Sequence, residues 1–177
     1  MPSCPGVPAA DRRRRPARDR QDHRRRETGP PHRLRFLRVD TIEQAILRST
    51  PLGRPLGPAG YVVARAVAAD LLRTGASVIA ECVNPLAVTR DAWRATGLDA
   101  GARVLETEIV CSDPAEHRRR AETRDPGIPG LVPPTWAEIV AREYERWDRD
   151  RLVVDTAGRS VGEAVSVITA AFADQKP

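Results

Sequence analysis

Ser77-Val78-Ile79-Ala80-Glu81-Cys82-Val83 decides the reading of this chain. The stretch is short, nearly continuous in apolar residues and ends at Asn84-Pro85. That is the pattern of a strand buried on both faces, as in a parallel sheet. Immediately before it, Tyr61 to Thr74 carries Val62, Ala66, Ala69 and Leu72 at helical spacing, with Gly75 as the stop. Immediately after it, residues 84–97 read as a loop followed by a helix containing Trp93.

The same alternation continues in both directions. Upstream, Phe36-Leu37-Arg38-Val39-Asp40 is a short strand ending in a carboxylate. A helix follows from Thr41, a plausible cap, and a turn-rich loop spans Gly53 to Gly60. Downstream come a strand over 103–111, a helix opened by Asp113-Pro114 and running through Arg124, and a Pro/Gly loop over 125–134. A helix over 135–147, a strand over 152–156 and a last helix capped by Ser160 complete the chain. The face of that last helix is Val161, Ala164, Val165, Ile168 and Phe172. Strands alternating with helices predict an α/β fold: one parallel sheet flanked by helices on both faces.

Residues 1–35 have another texture. They hold eleven Arg against four acidic residues, a net of +7 in a chain of +5, leaving −2 for the rest. No apolar period runs through them, so composition predicts a disordered or extended basic arm before a domain over 36–177. Hydrophobic residues make up 41% of the 177 but aromatics only 4%, so aliphatic side chains must fill the core. No apolar run is long enough for a membrane span, and no membrane partner is expected. Cys4, Cys82 and Cys111 form no CxxC pair, which argues against a disulfide framework or zinc site and points to a reducing cytoplasm.

In open α/β sheets, ligands bind beyond the carboxyl ends of the strands. Asp40, Glu81, Asn84, Ser112, Asp113, Asp155 and Thr156 fall there. A carboxylate at such a place can accept a hydroxyl proton or hold a magnesium water, although Asp40 could equally cap the helix after it. Arg120 and Arg124 are four apart, so on a helix they share a face. Two guanidinium groups there suit the charge that develops on a transferred phosphoryl group; the alternative is a solvated helix balanced by Glu116 and Glu122.

Four segments carry a resemblance: 36–45, 81–93, 110–120 and 155–160. They resemble bacterial AAA-type ATP-binding proteins of the P-loop kinase kind, kin of chloramphenicol phosphotransferase, zeta toxin and adenylylsulfate kinase. The resemblance implies ATP and Mg2+ as cofactors, a nucleotide and a small-molecule substrate as partners, and transfer of the γ-phosphoryl group to a hydroxyl. Asp40 would stand at the base or substrate position, and Glu81 near the metal position, where Asp is more usual. Asn84 would contribute to the nucleotide and substrate site. Arg118, Arg120 and Arg124 would belong to a lid. Asp155, Thr156 and Gly158 would border the adenine.

One part of that pattern is missing. The family opens with a central strand, then G-x-x-x-x-G-K-[ST], then a helix. Nothing here matches, and the single lysine is Lys176. The chain as written should therefore lack a phosphate cradle, with a gap in its sheet and impaired activity. A shift of reading frame would account for this. When the codons of Arg14 to Arg24 are read from their second nucleotides, Gly-Gly-Leu-Pro-Gly-Thr-Gly-Lys-Thr-Thr is available. The junction of Gln21 with Asp22 can give only Lys or Arg. The alternative is a genuine arm that binds nucleic acid through phosphate contacts, or a non-catalytic scaffold.

Overall fold

The computed structural model describes residues 34–174; the predicted basic arm lies outside them apart from its last two residues. The elements are β1 (Leu34–Arg38), α1 (Val39–Ser49), α2 (Ala59–Arg73), β2 (Ser77–Glu81), α3 (Ala87–Asp99), β3 (Thr107–Val110), α4 (Pro114–Thr123), α5 (Trp136–Val140), β4 (Leu152–Asp155) and α6 (Val161–Asp174). The alternation of strand and helix is as the sequence predicts.

The sheet is not. Among the described residues the strands form two separate two-stranded sheets, β1 with β2 and β3 with β4, both parallel. The register sets Phe36 beside Ile79 in the first pair and Ile109 beside Val154 in the second. Helix α2 packs on the first pair and α6 on β4. The faces left over are open: Phe36 is 63% exposed, Ile79 44% and Ile109 63%, whereas Val154, under α6, is 1% exposed. The expectation that β2 is buried on both faces is therefore overturned. Its residues suit such a strand, but no layer among the described residues covers its outer face.

The buried apolar residues are correspondingly few and mostly small: Val39, Ala64, Ala68, Val154 and Ala164. Two polar seams hold the strand pairs in one molecule. In the first, Arg38 donates to the carbonyl of Pro126 (3.0 Å), Gln44 to that of Gly130 (3.0 Å) and Arg48 to that of Pro129 (3.4 Å), which straps the Pro/Gly loop over α1. The second joins α3 to the segment before β4. Arg90, buried, donates to the carbonyls of Pro85 (2.9 Å) and Glu145 (2.7 Å) and stacks on Trp147. Arg149 binds Glu106 through two nitrogens (2.7 and 2.6 Å) and reaches Asp91 (2.6 Å).

This second seam explains another difference. The helix expected over 135–147 stops at Val140, because Tyr144, Glu145 and Trp147 are drawn onto Arg90 and Pro85 instead. Its start does follow the sequence, as Thr135 and Glu138 form a reciprocal capping box. Ser160 and Glu163 make the equivalent exchange at the start of α6. The predicted apolar face of α6 is only partly used: Ala164 is buried, but Val161, Val165 and Phe172 are exposed.

Candidate functional site

The strand ends carry two clusters. The first lies beyond β1 and β2. Helix α1 begins at Val39 with Arg38 at its cap and no side-chain cap bond, so Asp40 stands in the first helical turn rather than at a strand end, and neither Asp40 nor Thr41 caps. A carboxylate there is favoured by the positive end of the helix dipole. One turn on, Glu43 lies against Gly60, where the absence of a Cβ makes room for its side chain. Burial raises the pKa of Glu43, and the charge of Asp40 raises it further, against the opposing pull of Arg54. A carboxylate whose proton affinity is raised by burial suits a proton-accepting role. Glu43 as a site residue was missed from the sequence; the readable signal was Asp40-x-x-Glu43 at helical i,i+3 spacing.

At the end of β2, Asn84 adopts a left-handed backbone (φ 51°) and its N–H donates to the Tyr61 hydroxyl (3.4 Å). The Asn84 Oδ1 is buried and has no partner. Burial raises the Tyr61 pKa, and the neighbouring Cys82 adds to the shift. Cys82 itself is pushed up to about 12, chiefly by burial, with Trp93 opposing; a thiol so protonated is no nucleophile. Glu81 lies 2.8 Å from Arg38 Nε. That nitrogen makes no well-directed hydrogen bond, so the contact is an ion pair by proximity. The position expected to hold a metal is thus occupied by an arginine, and among the described residues no group of three or more His, Cys, Asp or Glu could hold a metal ion.

The second cluster lies beyond β3 and β4. Asp155 Oδ1 accepts from the backbone N–H of Ser112 and of Ala157, both at 3.0 Å. These bonds, with the Ser112 side chain foremost, hold its pKa down to about 2. Thr156 donates its hydroxyl to the carbonyl of Val110 (2.8 Å). Gly158 takes φ +65°, which favours glycine, and its N–H donates to Glu116 (3.0 Å). Arg120 pairs with Glu116 and donates to the carbonyls of Thr156 (3.2 Å) and Arg159 (3.3 Å). Arg120, Asp155, Thr156 and Gly158 are therefore brought together as one polar turn-and-helix clamp.

The other two lid residues are not part of it. Arg118 pairs with Glu122 on the exposed side of α4 (2.9 Å). Arg124 is not helical at all: it is the C-cap, with extended φ and ψ, so it does not share a helix face with Arg120 as expected. It lines a cleft of about 340 Å³ with Trp136 and Pro134.

The two clusters offer a carboxylate pair and a structured turn. Nothing described between them presents the run of backbone N–H groups or the lysine that a triphosphate needs, and Lys176 lies outside the described residues. The described residues therefore do not fit ATP phosphates. Among the described residues, no helix is long and apolar enough to cross a membrane.

No protein-family model and no curated protein sequence matches the chain. Solved structures do. The crystal structure of APE1195 superposes with a TM-score of 0.57 at 20% identity, covering 88% of this chain and 84% of that one. The Mycobacterium tuberculosis APS kinase CysC, solved in complex with AMPPNP and APS, gives 0.55 at 21% identity, covering 80% of this chain and 81% of that one. At such identities the likeness speaks for the fold alone, and that fold is α/β and P-loop kinase-like.

Proposed function

We propose that this chain is a small-molecule kinase relative that keeps the acceptor end and the nucleobase end of a phosphoryl-transfer site and has lost the phosphate cradle between them. The observation that carries this reading is the division of the strands into two parallel pairs, each with its own polar cluster at the carboxyl end. Likeness to an APS kinase solved with AMPPNP supports ATP as the nucleotide. AAA-type kinship and an Mg2+ requirement belong to the same reading.

In this reading Asp40, with Glu43 beside it, accepts the proton of the attacking hydroxyl. Asn84 Oδ1, buried and unpartnered, orients the acceptor. The clamp of Arg120, Asp155, Thr156 and Gly158 seats the nucleobase. Arg124 closes on the phosphates from its cleft just past the end of α4, Arg118 reaches them from α4 itself on leaving Glu122, and Glu81 reaches the metal only on leaving Arg38. The chain as written transfers no phosphoryl group.

The test is calorimetric titration of Mg-ATP into two chains: the one written here, and one in which residues 14–23 are replaced by Gly-Gly-Leu-Pro-Gly-Thr-Gly-Lys-Thr-Thr. Binding by the second alone supports the reading, and equal affinities contradict it. In the loop-containing chain, Asp40→Ala should abolish transfer while ATP still binds, and Arg124→Ala should lower turnover.

A further inference from the structure

Helix α2 has two apolar faces, and the fold uses one of them. Gly60, Ala64 and Ala68, at i, i+4 and i+8, are buried on the side that packs on β1 and β2 between α1 and α3. On the other side, Ala59, Val62, Val63, Ala66 and Val67 repeat the i, i+3, i+4, i+7, i+8 spacing of a packed face. Yet Val62, Val63 and Val67 are 50%, 43% and 40% exposed, and Ala66 is exposed as well. A surface helix normally carries polar residues there, and a helix apolar on both sides is of the kind that becomes buried. A contiguous apolar stripe of this sort marks an interaction surface.

The rim of the stripe points to its occupant. A groove of about 230 Å³ runs beside it between α2 and α3, lined by Val62, Ala66 and Ala69 together with Arg65, Arg73 and Asp99. Arg73 is paired with Asp70 (2.8 Å). Among the described residues Arg65 and Asp99 form no ion pair, with each other or with any other group, and Arg65 Nε is buried without a hydrogen-bond partner. One unpaired cation and one unpaired anion therefore flank a single apolar stripe. A partner charged with one sign would satisfy one of them and leave the other. A second copy related by a two-fold axis satisfies both, because an isologous contact sets residue i against j and j against i. Ala59 and Ala66 are small, which lets two such helices approach closely.

We propose that the outer face of α2 is a homodimer interface, in which two copies pack their α2 helices antiparallel about a two-fold axis near Ala66. The contact buries the Val62, Val63 and Val67 stripe of both copies, and Arg65 of each copy pairs with Asp99 of the other. The phosphoryl-transfer reading uses none of these residues, so the interface stands whether or not the protein binds ATP.

The experiment is sedimentation equilibrium on the full 177-residue chain over a series of concentrations. The expected result is a reversible monomer–dimer equilibrium that goes no further, because a two-fold contact is closed. Ala66→Glu sets like charges face to face at the axis and should weaken the dimer about tenfold or more. Arg65→Asp and Asp99→Arg should each weaken it too, since each leaves like charges across the contact. Mixed together, those two chains should associate more tightly than either does alone, and the double variant Arg65→Asp/Asp99→Arg should recover the parent's affinity. A salt bridge made within one chain would give no such gain on mixing. A parent chain that stays monomeric overturns the proposal. So do dimers or larger species indifferent to Ala66→Glu, which would place the contact on the open strand faces, and a mixture that associates no better than its components.

Discussion

The half around β1 and β2 and the half around β3 and β4 are built alike, each a parallel pair with polar residues at its carboxyl end, yet they differ in how well those residues are satisfied. In the second half Asp155 takes two backbone N–H groups, Thr156 bonds across to Val110, and Arg120 reaches two carbonyls and Glu116. In the first half lie all five of the buried side-chain atoms without a hydrogen-bond partner among the described residues: Arg38 Nε, Arg65 Nε, Asn84 Oδ1, Arg90 Nε and Trp93 Nε1. Buried polar groups normally find partners. Among the described residues the first half thus keeps buried polar atoms without a hydrogen-bond partner where the second half keeps none.

The sharpest way to break this comparison is at the seam that joins the halves. Arg90→Ala removes a buried guanidinium, takes its donor from the carbonyl of Glu145, leaves that of Pro85 only the Glu145 N–H, and takes away the stacking on Trp147. A loss of about 1.5–3 kcal/mol is expected by denaturant unfolding, the usual scale for losing hydrogen bonds from a charged group. A loss near zero would mean that the halves are held elsewhere.

Gly60→Ala probes the first half alone. The new Cβ would collide with Cγ of Glu43, part of the stem and not the free end of the chain. About 1–3 kcal/mol of destabilisation is expected from overpacking, together with displacement of Glu43, which should bring its pKa back toward the ordinary carboxylate range in a carboxyl-resolved NMR titration.

Asp155→Asn probes the second half through pH. Asp155 is depressed to about 2 from 3.8, so its contribution is present above the unfolded value and is lost as pH falls through the folded one. Between about pH 4 and pH 2 the stability of the parent chain should fall more steeply than that of the Asn variant. Parallel curves would remove Asp155 from the clamp. The smallest effect belongs to Arg118→Ala: its exposed i,i+4 pair with Glu122 is worth about 0.3–0.5 kcal/mol at most, and less at high salt.

Much of the element order was legible because helix spacing, caps and breakers are local. Thr135 with Glu138, Ser160 with Glu163 and Gly75 after α2 all act where the sequence places them. What failed was non-local. Val78 to Ala80 reads as a strand buried on both faces, but burial depends on a neighbour that the described residues do not supply. The early end of α5 depends on Arg90, some fifty residues away. In the site, Asp155, Thr156 and Gly158 were legible together because they flank one turn, whereas Arg120 was expected on a lid face with Arg124 and is instead drawn to Glu116 and that turn. Glu43 was missed because its altered proton affinity arises from burial beside Asp40, which periodicity does not reveal.

Our central proposal is that a phosphate cradle absent from the described residues was displaced from the reading frame. The coding DNA upstream of the Asp40 codon tests it most directly. The account predicts an open second frame reading Gly-Gly-Leu-Pro-Gly-Thr-Gly-Lys-Thr-Thr, with CAA at Gln21 so that its junction with Asp22 encodes Lys. A stop in that frame, or CAG at Gln21, which gives Arg instead, would contradict it and leave the basic arm as the chain's own.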